Sequence, residues 1–551
     1  MTERVQLVAL GGLGEVGMNC MSVEHGDCRL LIDCGITFPD LPFGTDVIRP
    51  DFQHLRDVPK KQSALWLTRG HEDHIGAVPY LLREQPMKIY GPPYALALVR
   101  ERLSENPPPR APELIPIVPR ERYRFGPFEM EPVRVTHSIA DATSLALRTP
   151  AGLIVHTGDF KIDPTPTDHE QFDRERFRQL GEEGVRLLLS DSTNVDSEGE
   201  AGSERGVTTR LVDLVEQARG RVVVTLFASN THRLRAMITA AKHTGRKLCW
   251  LGRSVQTHSR VAAETGYLRD LEETVIAPAQ AAMLPRHRVL FAATGSQAEP
   301  ASALARIARR VHPQVALEAG DTVILSSRII PGNDRPVVDV IDSLLRQGVQ
   351  VIERRTDRAI HVSGHAHRGE QRTMLELVRP ESFVPVHGTL HHLHRHAELA
   401  RETGVRHTTI VQNGDVLELS HEELRVVDRA RTGRVHMARG ADVNDDVLDQ
   451  RSRLAEQGAL AISFVIDGSG RMLATPDISA RGVVFAGAAS DLLGQARIAA
   501  KRAFRYAVDD GLLDDLEELK EALRRKMTRF FMESLGQRVV CMVLIHVVRG
   551  S

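Results

Sequence analysis

The stretch Leu65-Trp66-Leu67-Thr68-Arg69-Gly70-His71-Glu72-Asp73-His74-Ile75-Gly76-Ala77 does most to limit what this chain can fold into. An apolar, strand-like run stops at Thr68, and glycines bound a short segment that presents His71, Asp73 and His74. On a regular strand or helix these three side chains cannot all point one way. They suit a loop at a strand end, where donors converge on one ion or a pair of ions. For this stretch alone, a polar surface loop that happens to carry histidines is the plain alternative.

Partners for such a site follow downstream. His137 comes after the strand-like Pro132-Val133-Arg134-Val135-Thr136, Asp159 after Gly152-Leu153-Ile154-Val155-His156-Thr157-Gly158, and His387 after Phe383-Val384-Pro385-Val386. A lone histidine behind a strand is more often structural than a ligand. Several strand ends carrying His or Asp in one chain are what a dinuclear site needs, because α/β sheets gather functional residues there.

These motifs also carry a resemblance. The order His-x-Asp-His, Thr-His-Ser-Ile and His-Thr-Gly-Asp-Phe-Lys resembles the metallo-β-lactamase superfamily. Ser190-Asp191-Ser192-Thr193-Asn194, His361-Val362-Ser363-Gly364-His365-Ala366 and Pro385-Val386-His387-Gly388 narrow it to the β-CASP nucleases, and within those to the ribonuclease J family. The resemblance runs from Leu10-Gly11-Gly12-Leu13-Gly14-Glu15 into the C-terminal segment. It implies an α/β chain: a metallo-β-lactamase αββα sandwich, an inserted parallel α/β β-CASP domain and a small C-terminal α/β domain. One departure stands out. The family has His-x-His-x-Asp-His, and Arg69 replaces the first histidine.

The expected boundaries are 1–205 for the first part of the sandwich, 206–368 for the insert, 369–431 for the return segment, 432–455 for a linker and 456–551 for the C-terminal domain. The insert reads as βαβ units built on Val222–Leu226, Val289–Ala292 and Thr322–Leu325, with a helix over Ala303–Arg310. In the C-terminal domain, strands are expected at Leu460–Ile466 and Val539–Val548 and a charged helix over Leu513–Arg529. Gly12-Leu13-Gly14-Glu15-Val16-Gly17 matches a dinucleotide fingerprint, but that reading needs a helix next. Two strands around His25-Gly26-Asp27 are expected instead, which makes it a glycine-rich β-turn.

Composition closes off other classes. No apolar run is long enough to span a bilayer, and Met1-Thr2-Glu3-Arg4-Val5 lacks the basic-then-apolar shape of a secretion signal, so no membrane partner and a cytoplasmic location are expected. The 5 cysteines form neither a C-x-x-C pair nor a disulfide framework, so a metal must rely on His and Asp. The net charge of −1 says nothing of a polyanionic substrate, because basic residues can still be concentrated in one channel.

By resemblance, one ion would take residue 69, His71 and His137, the other Asp73, His74 and His387, with Asp159 between them. Two such ions share a hydroxide and stabilise both the attacking and the leaving oxygen. Zinc and manganese both suit these donors, zinc first and manganese second. His365 is the expected group on the leaving oxygen or scissile phosphate, with Asp191 orienting it or a ligand. The run His361, Val362, Ser363, Gly364, His365 and Ala366 would form a substrate loop whose N–H groups meet a phosphate. Asn230, His232, Arg233 and Ser296, at strand ends of the insert, suit a pocket for a terminal phosphate or base; each could be only a helix cap. The dense His391–His396 run reads as a solvated helix face, and Asp46 and Asp442 are candidates for a structural cation.

The function implied is RNA maturation and decay by 5′-to-3′ exonuclease and endonuclease action, preferring a 5′-monophosphate, in a homodimer or homotetramer. A small-molecule metallohydrolase of thioesterase or lactonase type would leave Asp191, His365 and the insert idle. An RNA-binding scaffold silenced by Arg69 is the remaining alternative.

Overall fold

The computed structural model describes residues 3–39, 43–330, 332–483 and 489–548, so Met1 and Thr2 of the N-terminal stretch lie outside it. The chain divides into two compact units. One comprises Met1–Phe38 with Val47–Val435, the other Pro39–Asp46 with His436–Ser551.

Two mixed sheets lie face to face in the first unit. In one, Val5–Gly11 pairs antiparallel with Cys20–His25 and with the return strand Asp415–Leu419, and Cys28–Ile32 runs parallel to Gln62–Trp66. In the other, Phe128–Arg134, Thr143–Thr149 and Gly152–His156 form a meander that continues in parallel to Val185–Asp191 and Ser382–Val386. Leu7, Val23, Leu30 and Trp66 of the first sheet and Leu147, Ile154, Leu187 and Val384 of the second share one core. The outer faces take helices: Leu81, Leu82 and Val99 pack with Leu31 and Leu65, and Phe177 and Met374 with Leu188 and Phe383. This is the αββα sandwich. The return strand closes it because Val5–Gly11 would otherwise be an open edge.

The insert folds as a five-stranded, all-parallel sheet in the order Lys247–Leu251, Val289–Ala293, Val222–Thr225, Thr322–Leu325, Gln350–Glu353. Its three central strands are the runs expected from sequence; Val222–Thr225 is buried throughout, as a strand covered on both faces must be. After Gly12 the chain makes a two-residue strand, Leu13–Gly14, beside Gly388–Thr389, and continues to Cys20–His25 without a helix. That removes the dinucleotide reading.

The expected linker over 432–455 is ordered structure. Its central part, Arg434–Ala438 and Ala441–Val443, forms a hairpin whose turn, Arg439-Gly440, has both residues at positive φ. Helix Asp445–Gln457 follows, capped by the Asn444 side chain, which accepts from Val447 N at 3.0 Å. In the C-terminal unit, Ala459–Asp467 lies antiparallel to Asp477–Arg481 and parallel to Val540–Val548. It alternates Leu460, Ile462, Phe464 and Ile466 into a core with helices Ala489–Asp509 and Leu516–Leu535. The longer of these helices is absent from the sequence expectation, and the other is displaced toward the C-terminus from Leu513–Arg529.

Candidate active site

The loop that carries His71, Asp73 and His74 is held by its backbone. The carbonyls of Glu72, Asp73 and His74 accept from the N–H groups of Ile36, Asn19 and Cys34 at 3.0, 3.0 and 2.7 Å. This close approach requires Gly35, where a Cβ would lie 1.7 Å from the Asp73 carbonyl oxygen. His71 immediately precedes the short helix Glu72–Ile75, which carries Asp73 and His74.

Neighbours set each donor. His74 Nδ1 meets the Asp33 carboxylate at 2.7 Å, and Asp33 also accepts from Thr68 N and Oγ1 at 2.8 and 2.7 Å. The Nε2 lone pair of His74 is thereby directed into the site. His137 Nδ1 meets the Gly364 carbonyl at 2.6 Å, so its Nε2 faces His71 Nδ1 at 3.2 Å. Burial, reinforced by the Arg69 charge, pushes both of these imidazoles well below their ordinary pKa and keeps them neutral. His387, at φ 53°, brings Nδ1 to 2.7 Å from Asp159 and Nε2 to 3.4 Å from Asp73. Burial opposes the His387 charge, but Asp191 and Asp73 outweigh it and raise the group to about 9.

Asp73, His74, Asp159 and His387 form a group with one donor atom from each within 4.8 Å of the others, and a second such group joins Asp159, Asp191, His365 and His387. His387 Nε2 is buried and, among the described residues, makes no hydrogen bond, with the Asp73 carboxylate near it at 3.4 Å, so an ion that displaces its proton finds both donors in place. The first set therefore fits a divalent ion. The trio of residue 69, His71 and His137 does not, because Arg69 brings a cation where a neutral donor is needed; its fully buried guanidinium pairs with Asp159 and His74, donors of the first set, so an ion there must displace it. Burial lowers the Arg69 pKa to about 10 against the pull of Asp73, Asp33 and Asp191, so it stays a cation.

His365 stands beside this group, 23% exposed, with Nδ1 2.8 Å from Asp191. Burial would raise the Asp191 pKa, but His365 and His387 hold it well below the carboxylate range; Thr193 N and Oγ1 donate to its other oxygen. Ser363 Oγ accepts from Asn194 Nδ2 at 2.7 Å and from His365 N at 3.1 Å, which ties the loop down. His361 and Val362 are half-buried, and Ala366 is fully buried with its N–H on Phe160 O.

The set expected at the insert's strand ends does not converge. Asn230 caps helix Thr231–Thr244, and His232 is buried against Thr167. Arg233 is 1% exposed and committed to Glu204, Ser326 and the Ile360 carbonyl, so it is a structural cation and not a phosphate ligand. Ser296 lines a cavity of about 490 Å³ with Arg328, Arg354, Arg355 and Arg358, none of which the sequence singled out. The histidine-rich run is divided by its helix: His391 is solvated beside Asp196, but His396 is buried on Ser192 and Phe383. Asp46 accepts from Arg439 N at 2.6 Å and braces the hairpin turn. Among the described residues neither Asp46 nor Asp442 belongs to a group of donors close enough for an ion.

Family models match along the chain: the metallo-β-lactamase superfamily at 13–165, the ribonuclease J β-CASP domain at 219–344, a Zn-dependent metallo-hydrolase RNA specificity domain at 351–410 and the ribonuclease J C-terminal domain at 446–548. A ribonuclease J of Synechocystis is 40% identical over 88% of this chain and 76% of its own length. Those of Corynebacterium glutamicum and Streptococcus pyogenes are 36% and 38% identical over 98% and 92% of this chain and 75% and 91% of theirs. The chain belongs to the ribonuclease J family. A crystal structure of an Enterococcus faecalis protein of unknown function shares the fold, with TM-score 0.52 and 16% identity, covering 76% of this chain and all of its own.

Membership makes the protein an RNA nuclease of the metal-dependent hydrolase class. Sequence reasoning gave no role to Asp33, Asn194 or the arginines Arg328, Arg354, Arg355 and Arg358. Asn194 stood within the Ser190–Asn194 motif, and Asp33 ended the strand-like Arg29–Asp33.

Proposed function

We propose that the chain hydrolyses RNA with water, digesting 5′-to-3′ from a 5′-monophosphate end and also cutting internally, in RNA maturation and decay. The observation that supports this most is His365 held by the buried Asp191 carboxylate at 2.8 Å beside the Asp73, His74, Asp159 and His387 group. Those four residues would hold a zinc or, second, a manganese ion, which when bound supplies an activated water and offsets phosphate charge. Asp191 on Nδ1 stabilises the charged imidazole and leaves Nε2 to give a proton to the leaving oxygen. The Asn194–Ser363 bond and the backbone at Gly364 orient the scissile phosphate.

The arginine-lined cavity beside Ser296 receives a flanking phosphate. Burial lowers the Arg354 pKa, and the neighbouring Arg328 and Arg358 add to it; Asp334, paired with Arg355 at 3.3 Å, and Glu353 also line the cavity, which leaves the arginines in excess. Arg69 leaves room for fewer catalytic ions and slows turnover. A dimer or tetramer in the cytoplasm completes the proposal on family grounds; among the described residues no helix is long and apolar enough to cross a membrane.

The test pairs metal content per chain with cleavage of labelled RNAs that differ only in a 5′-monophosphate or 5′-triphosphate. A crowded pocket favours the monophosphate. Equal exonuclease rates would sink the end preference, and no cleavage at saturating zinc or manganese would sink catalysis by this chain.

A further inference from the structure

The C-terminal unit contains a cavity of about 490 Å³ between the loop Gly470–Thr475 and helix Ala489–Asp509. Lys501, Phe504, Arg505, Val508 and Asp509 line it from the helix, the i, i+3, i+4, i+7, i+8 spacing of a single stripe. Phe504 is 2% exposed and stacks on Phe464 at 5.5 Å, so the floor is rigid. Across from it the loop is braced: the Asp467 carboxylate accepts from Ser469 N and Oγ and from Arg471 N at 2.9, 2.7 and 2.9 Å. Arg471 thus enters the cavity from a fixed backbone.

The charges in this cavity are not balanced. Among the described residues, no hydrogen bond or ion pair engages the head groups of Lys501 or Arg505. Two cations one turn apart repel, and an anion between them relieves that repulsion. A single acid, Asp509, sits at the end of the stripe. It is badly placed for a second phosphate but suits a ribose hydroxyl or a base N–H. The volume lies in the range of small-ligand sites and holds one nucleotide with its water.

We propose that this cavity is a second nucleotide site, with Lys501, Arg505 and Arg471 on the phosphate and Asp509 on the sugar or base, the nucleotide being free or one unit of an RNA chain. The assignment of a nucleotide as the phosphate ester rests on the ribonuclease reading; the anion site itself does not.

The probe is a 2′-O-methyl oligonucleotide carrying 4-thiouridine, photo-crosslinked to the full chain and mapped by mass spectrometry. Crosslinks are expected in the peptides of 470–475 and 501–509 and should be lost with Lys501→Ala/Arg505→Ala. Affinity should fall about tenfold or more, as two charge-assisted hydrogen bonds imply. The slope of log K on log salt should flatten by about 0.7 for each phosphate that is no longer neutralised. Arg502→Ala removes a charge from the same helix outside the cavity and should do neither. Competition by adenosine monophosphate would identify free nucleotide as a ligand, and competition only by oligonucleotide would identify RNA; either supports the site. Absent crosslinks, equal loss in Arg502→Ala, or inorganic phosphate competing as well as the nucleotide would overturn it. Cleavage and crosslinking are read separately, so a chain that crosslinks here but never cuts RNA would sink the nuclease reading and leave this site standing.

Discussion

Replacing Arg69 by histidine exchanges a buried cation for a neutral donor at the centre of the site, and the cost in stability should depend on metal. In chelator, Arg69 is the counter-ion of Asp159, a 3% exposed carboxylate. Its removal leaves that carboxylate to His387, whose Nδ1 lies 2.7 Å away, so the loss should be at most about 3–5 kcal/mol, that of a fully broken buried pair. Arg69→His should therefore unfold at lower urea than the parent when metal is absent. In saturating zinc or manganese the new imidazole joins His71 and His137, while Asp159 Oδ2 and His74 Nε2 are released from the guanidinium. Each ion present at a hundredfold over its dissociation constant adds about 2.7 kcal/mol, so the second ion should recover most of the variant's deficit against the parent. Metal content should rise from one ion per chain to two. RNA turnover should rise on the order of 10²–10³-fold, the scale of restoring one electrostatic element of a transition state. Urea unfolding in chelator and in metal, elemental analysis and a labelled-RNA assay read these quantities. A parent that already holds two catalytic ions and cuts as fast as Arg69→His would refute the assignment of residue 69 as a lost ligand. Equal stability in chelator would refute the counter-ion role.

Other outcomes follow from the same geometry. His365→Ala should leave metal content unchanged and lower turnover by roughly 10²–10⁴-fold; near-normal cleavage would reject its role in protonating the leaving oxygen. Asp33→Ala frees the His74 ring and should weaken metal binding by roughly 10–100-fold in a chelator competition, although Asp33 is not itself a donor. Arg233→Ala should cost about 3–5 kcal/mol by stranding Glu204, yet leave the RNA affinity of the folded fraction unchanged; selective loss of affinity would restore it as a ligand. Burial would raise the Glu204 pKa, but Arg233 and Lys161 bring it to about 2, so its contribution is complete above the ordinary value of 4.5 and is lost as pH falls toward 2. Across that window it amounts to about 3 kcal/mol. Glu204→Gln should flatten this part of the urea-midpoint profile, and an unchanged acid slope would refute the linkage.

What could be read from the chain alone was whatever local order writes into it. Strand ends marked by His and Asp, the buried valine run Val222–Thr225 and the spacing of the motifs around Asp73, His137, Asp159, Asp191 and His387 are matters of neighbouring residues, and periodicity and turn chemistry report them. Arg69 was visible as a departure for the same reason. The hairpin over Arg434–Val443 escaped because Arg439-Gly440 lacks the Asn-Gly signal, and backbone pairing there overrides a polar composition that looked like a linker. The fates of Arg233 and His396 depended on what lies across the fold from them, whereas Asn230 caps its own helix. Glu204, Phe383 and Ser192 are distant in sequence, and a cation that is a ligand when exposed is a structural counter-ion when a buried carboxylate meets it. Asp33 became the partner of His74, and Arg69 the occupant of the metal site, only when separate strand ends met at one point. Burial there removes water and makes each charge answer to its nearest neighbour in space.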